Sequence, residues 1–140
     1  MKFIDFIKQF FEKKQPELTI VRLLIPDNEL KKIFNCWSLI MDKQYKLYSF
    51  DEVYDFIKYD NLSFKKYKSE YHDCDDFALI LLGRLKEKFE GGAFGLGLST
   101  THAFNVFVDD KKILWIIEPQ TDTFFRPINT IKYKLSKVIF

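Results

Sequence analysis

Residues 101–119, THAFNVFVDDKKILWIIEP, hold the pattern on which the fold turns. Two runs rich in β-branched and aromatic residues flank the polar DDKK, which predicts two antiparallel strands joined by a short turn. In a hairpin built on that turn, residues whose numbers sum to about 220 lie opposite each other. His102 therefore faces Glu118 or a residue next to it. A carboxylate beside an imidazole fixes its tautomer and stabilises the imidazolium.

Upstream of the hairpin, EGGAFGLGLST carries a glycine run that ends a helix and permits a loop with unusual backbone angles. It is not a phosphate loop, because no Gly-Lys-Ser/Thr follows. Before it, YHDCDDFALILLGRLKEKF (residues 71–89) predicts a helix beginning near Cys74, with aspartates at its start to meet free N–H groups and the positive end of the macrodipole. The same field favours a thiolate, so Cys74 is either a small buried residue or a nucleophile.

Further upstream, SFDEVYDFIKYD carries a capping box, Ser49 with Glu52, and predicts another helix. PDNELKKIFNCWSLIM has Leu30, Ile33, Phe34 and Trp37 at helical spacing, with Cys36 inside as a small hydrophobe. ELTIVRLLIP is a short strand or a helical continuation, and MKFIDFIKQFFEKK an amphipathic first helix. Downstream, FFRPINTIKYKLSKVIF supplies one or two short strands. The expected architecture is one α+β domain over residues 1–140, helices first and a small antiparallel sheet second.

Composition narrows the function. With 22 Lys+Arg against 20 Asp+Glu, bulk charge does not drive nucleic-acid binding. No run reaches the roughly 18 apolar residues of a membrane span, and Asp5 and Lys8 break up a signal-peptide core. Two cysteines make no disulfide framework, so reduced thiols in a cytoplasmic setting are expected. Oligomeric state is not readable.

Cys74, His102 and Glu118 are the parts of a cysteine-nucleophile site: thiolate, base and orienting acid. The backbone N–H of Cys74 is one oxyanion donor, and Gln44, Tyr67 and Tyr71 are candidates for a second. His72 is the alternative base and Asn105 the alternative orienting group. The order of Cys on a helix start, His on a strand and acid on the next, with DCDDFA, HAFNVF and IEPQTD, resembles papain-like and transglutaminase-like cysteine peptidases. More narrowly it is similar to the cysteine-protease domain of a fungal agglutinin and its bacterial and phage relatives, over residues 70–122. The resemblance implies a papain-like core and an acyl-transfer enzyme, a protease or amidase acting on a peptide or amide substrate, with transamidation as the variant. It assigns Cys74 as nucleophile, His102 as base and Glu118 as acid, and makes a phage-associated origin an expectation. The chemistry needs no cofactor, but relatives of this kind use calcium. Asp75, Asp76, Gln120 and Asp122 offer the hard oxygens that calcium takes, and Asp73 is a helix cap or a further ligand.

Two rivals stand beside that reading. Cys36, His72, Cys74 and His102 make up a zinc-sized set, although no pair has the usual chelating spacing. The alternative function is a catalytically inactive binding or structural module that keeps the fold.

Overall fold

The computed structural model describes residues 21–140. The first amphipathic helix expected within residues 1–14 lies outside the described residues. In chain order the elements are β1 (Leu24–Pro26), α1 (Asp27–Phe34), β2 (Trp37–Leu39), β3 (Gln44–Lys46), α2 (Phe50–Tyr59), a 3-10 turn (Leu62–Phe64), α3 (Cys74–Lys88), β4 (Phe94–Leu98), β5 (Ala103–Val108), β6 (Leu114–Glu118), β7 (Thr123–Phe125) and β8 (Lys137–Ile139). Strands β1 and β3 pair as a small antiparallel sheet; the rest form a six-stranded sheet in the order β2-β8-β4-β5-β6-β7.

This corrects the expected arrangement of helices first and a small antiparallel sheet second. Strands and helices alternate from the start, and the large sheet is mixed, because β2 runs parallel to β8. The helical reading of residues 26–41 fails at Asn35, whose left-handed backbone (φ 50°) closes α1 with its N–H on the Lys31 carbonyl. Cys36 therefore lies outside the helix, and Trp37, read at helical spacing with Leu30, Ile33 and Phe34, is 59% exposed on an edge strand.

The glycine run is corrected too. It is mostly strand β4, in the middle of the sheet. A Cβ at Gly95 would sit 2.3 Å from Phe140 Cδ2 and 2.7 Å from the Ile139 carbonyl oxygen, so this position needs the absence of a side chain, not unusual torsions. Only Gly91, just past α3, has a positive φ (70°).

The sheet is buried on both faces. Phe104, Val106 and Val108 of β5 meet Leu30 and Phe34 of α1 on one side. On the other, Phe107 meets Val53 and Ile57 of α2 and Phe77, Leu81 and Leu85 of α3. Helix α2 opens on the predicted capping box: Ser49 Oγ accepts from the Glu52 N–H at 3.2 Å, and Glu52 Oε2 accepts from the Ser49 N–H at 2.9 Å. The loop after it carries a 3-10 turn and a short bridge between Lys68 and His72 before α3 begins. Among the described residues no helix is long and apolar enough to cross a membrane.

Candidate functional site

The β5–β6 hairpin sets one half of the site. Its register places Asn105 opposite Ile117 and Val108 opposite Leu114, shifted by two residues from the expected one. The shift arises at the turn: Asp109 N–H donates to the Ile113 carbonyl, and Lys112 takes a left-handed conformation (φ 59°), giving a three-residue loop. Glu118 is thus not directly opposite His102 but diagonal to it, within reach of a long side chain. Glu118 Oε2 lies 2.6 Å from His102 Nε2, with both side chains almost fully enclosed, 5% and 7% exposed.

Tyr133, which no pattern in the sequence marked, completes this group. Its hydroxyl donates to Glu118 Oε2 at 2.8 Å, and its ring stands edge-on to His102 at 5.5 Å and to Phe125 at 4.7 Å. The Gln120 N–H donates to Glu118 Oε1 at 3.2 Å. Burial alone would raise the Glu118 carboxyl, but the hydrogen bonds from His102, Tyr133 and Gln120 outweigh it and hold it below its ordinary value. With Glu118 ionised, His102 Nε2 carries a proton and Nδ1 is left for other partners. The Tyr133 phenol is pushed far up, by burial first and then by the carboxylate it bonds to.

Helix α3 supplies the other half. Cys74 is its first residue, half-buried against Leu98 and Ala103. Cys74 and His102 line one cleft of about 440 Å³, together with Ser99, Thr101, Ser136 and Lys137. Among the described residues Cys74 Sγ makes no hydrogen bond, to His102 or to any other group; the hydrogen bonds of the His102 side chain run to Glu118 alone. Alternation along β5 accounts for this. Ala103 and Asn105 point toward α3, with Asn105 Nδ2 donating to the Ala78 carbonyl at 2.8 Å, whereas Phe104 and Val106 point to the α1 side. His102, one residue before Ala103, belongs by alternation with Phe104, and Tyr133 lies on that side too.

The remaining candidates scatter. Tyr67 lies beside the head of α3, where burial and then the charges of Asp73 and Cys74 raise its phenol. Tyr71 is 86% exposed, and Gln44 sits on β3 opposite Pro26, neither of them lining the cleft. Of His72, Nε2 is buried without a hydrogen-bond partner beside the Phe77 ring, and Asn105 is fully buried beneath α3; neither takes the role given to it as alternative base or orienting group.

Asp73, Asp75 and Asp76 bring a carboxylate oxygen each within 4.8 Å of one another, and no other group of His, Cys, Asp and Glu among the described residues gathers so. Asp76 accepts the Asp73 N–H at 3.2 Å, while Asp73 turns back to the Glu70 N–H at 3.3 Å. The Asp73 carboxyl is raised, chiefly by its hydrogen bond with Asp75. Asp122 stands outside the group: it lies in the tight β6–β7 turn with φ 55°, its carboxylate accepts from Ser63 Oγ at 2.6 Å, and burial pushes it up. Gln120 lies in the same turn. Cys36, His72, Cys74 and His102 do not come together, so the zinc reading falls.

No protein-family model matches the chain, and no curated protein does. Ten chains of solved structures do, two of them as follows. One is described as the PSL1a–E64 complex, at 23% identity and a TM-score of 0.70, covering 84% of this chain and 50% of that one. The other is the Polyporus squamosus lectin bound to the human-type influenza-binding epitope Neu5Acα2-6Galβ1-4GlcNAc, at 22% identity and a TM-score of 0.66, with the same coverage. The likeness is one of fold. The chain spans about half the length of the proteins it matches.

These neighbours correct the resemblance drawn from DCDDFA, HAFNVF and IEPQTD. The fold is that of half of a lectin chain, not an expected papain-like or transglutaminase-like core. The reading as a cysteine peptidase or other acyl-transfer enzyme falls with it, and so does the peptide or amide substrate.

Proposed function

We propose that the chain is a binding module whose ligand seats in the cleft between Cys74 and His102. One observation carries the reading: among the described residues this cleft is lined by hydroxyl residues Ser99, Thr100, Thr101 and Ser136, one ammonium from Lys137, and no carboxylate. A few convergent polar groups over an apolar floor, here Leu98 and Ala103, are the usual make-up of a small-molecule site. Hydroxyls both donate and accept, which suits a polyhydroxylated ligand, and the ammonium, which pairs with no carboxylate among the described residues, suits an anionic one. A saccharide of the kind seen on the lectin fits both requirements. The buried His102–Glu118–Tyr133 group braces one wall and presents the other imidazole nitrogen to whatever binds.

The test is an amide-resolved NMR titration with Neu5Acα2-6Galβ1-4GlcNAc and, separately, with E64, the compounds held by the two neighbours. Saturable shifts confined to residues 98–103 and 136–137 are expected with the saccharide. Absence of shifts there overturns the reading, and so does a covalent mass increase on Cys74 with E64. Repeating the titration with calcium and then with chelator asks whether the acids at the head of α3 serve the cleft. An affinity unchanged between the two means that binding needs no cation.

A further inference from the structure

Across the sheet, Ala103 pairs with Leu98, Leu98 with Lys137, and Lys137 with Trp37. Residues directly opposite in adjacent strands share a face, so these four form one row on the α3 side. Neighbouring strands lie about 4.8 Å apart. Ala103, Leu98 and Lys137 line the cleft; Trp37 is the next step outward. Helix α3 packs over β4 and β5, and the row continues beyond it onto the edge strand. There Trp37 is 59% exposed, and Leu39, two residues on along the same face, is 48% exposed. An indole this open at the rim of a polar cleft is an apolar platform in line with the cleft floor. Between the two sits Lys137, which pairs with no carboxylate among the described residues.

We infer that the cleft extends into a second subsite at Trp37 and Lys137, and that its occupant is an acidic oligosaccharide of at least two rings. One ring hydrogen-bonds the Thr100 and Thr101 hydroxyls and donates to Ser136 Oγ, whose own proton goes to the Leu98 carbonyl, the next lays its C–H face on the indole, and the carboxylate meets Lys137. Charge complementarity favours an anionic chain, because the row carries an ammonium and no acid; continuity of the row with the cleft favours a ligand longer than one ring. The inference deepens the binding reading above and rests on it.

The experiment follows the two indole Nε1–H resonances, of Trp37 and Trp115, together with the cleft amides, during titration with Neu5Acα2-6Galβ1-4GlcNAc and with its neutral part Galβ1-4GlcNAc. The expected result is that the Trp37 indole and the cleft amides shift along one binding curve while the Trp115 indole stays still. Trp37→Ala should weaken trisaccharide binding about tenfold, from the apolar face removed, and Trp37→Phe should restore part of that. Lys137→Gln should abolish the preference for the charged over the neutral sugar and flatten the salt dependence. Cleft amides that shift while the Trp37 indole does not, with Trp37→Ala unchanged in affinity, overturn the second subsite and leave the cleft reading standing. A trisaccharide that moves neither set of signals overturns both.

Discussion

Glu118→Gln tests the buried centre of the site. Glu118 accepts three hydrogen bonds, from His102 at 2.6 Å, Tyr133 at 2.8 Å and the Gln120 N–H at 3.2 Å. Glutamine keeps the shape but has one acceptor. If its oxygen faces His102 and Tyr133, its NH₂ opposes the Gln120 N–H; if it is turned round, two donors lose their partner. Hydrogen bonds to a charged group contribute about 1.5–3 kcal/mol each, and solvent screens little here, with the paired side chains 7% and 5% exposed. Removing the buried charge recovers part of its desolvation cost, so a net loss of about 2 kcal/mol at pH 7 is expected. The sign with pH follows from the lowered Glu118 carboxyl. A depressed carboxyl stabilises above its unfolded value of about 4.3 and loses that contribution as pH falls through the folded value. The gap between wild type and variant in urea-unfolding free energy should therefore hold steady from pH 7 to 5 and narrow below about pH 4. A gap under about 0.5 kcal/mol at pH 7, or one that widens in acid, would refute the reasoning.

Glycine exchanges separate space from torsion: Gly95→Ala meets Phe140 and the Ile139 carbonyl and should destabilise by about 2 kcal/mol or more. Gly83→Ala, on α3 with nothing within 4 Å of its Cβ, should stabilise by about 0.5–1 kcal/mol. Equal effects in chemical denaturation would contradict this account. Ser49→Ala removes one half of the α2 capping box and should cost about 1 kcal/mol by the same measurement. Asp75→Asn takes away the main cause of the raised Asp73 carboxyl, so carbon-detected NMR should show Asp73 titrating lower; a titration that stays put would assign the shift elsewhere.

How much of this could be read from the chain depended on whether local chemistry or distant packing decided. Ser49 with Glu52, and the aspartates around Cys74, carry their own hydrogen-bonding partners, so both helix starts were legible to the residue. The strands flanking DDKK were legible as strands, but their register was not, because it hung on Lys112 adopting a left-handed backbone that lysine rarely takes. Trp37–Leu39 keeps helical spacing with the residues before it, and only pairing with Lys137–Ile139, about a hundred residues away, makes it a strand. Gly95 and Gly97 were read as freedom where they are room for Phe140 and Phe104; the freedom is used at Gly91, whose φ is 70°. Tyr133 stands in a stretch without period, and nothing local announces its bond to Glu118. The order of cysteine, histidine and acid was legible, but order along a chain does not tell whether thiol and imidazole meet, and β5 alternation separates their faces.

The position of β8 governs when this chain can fold. Strand Lys137–Ile139, a hundred residues after β2, lies between β2 and β4, and Phe140 beside it fills the core against Phe34 and Tyr45. On a ribosome, the segment around Trp37 emerges long before β8, its strand partner in the large sheet among the described residues. Its apolar side chains must wait, exposed, until residues 137–139 are synthesised, and closing so long a loop is slow. Deleting residues 137–140 would take away the partner of β2 in the sheet and open the floor of the cleft at Lys137, so folding and binding would be lost together.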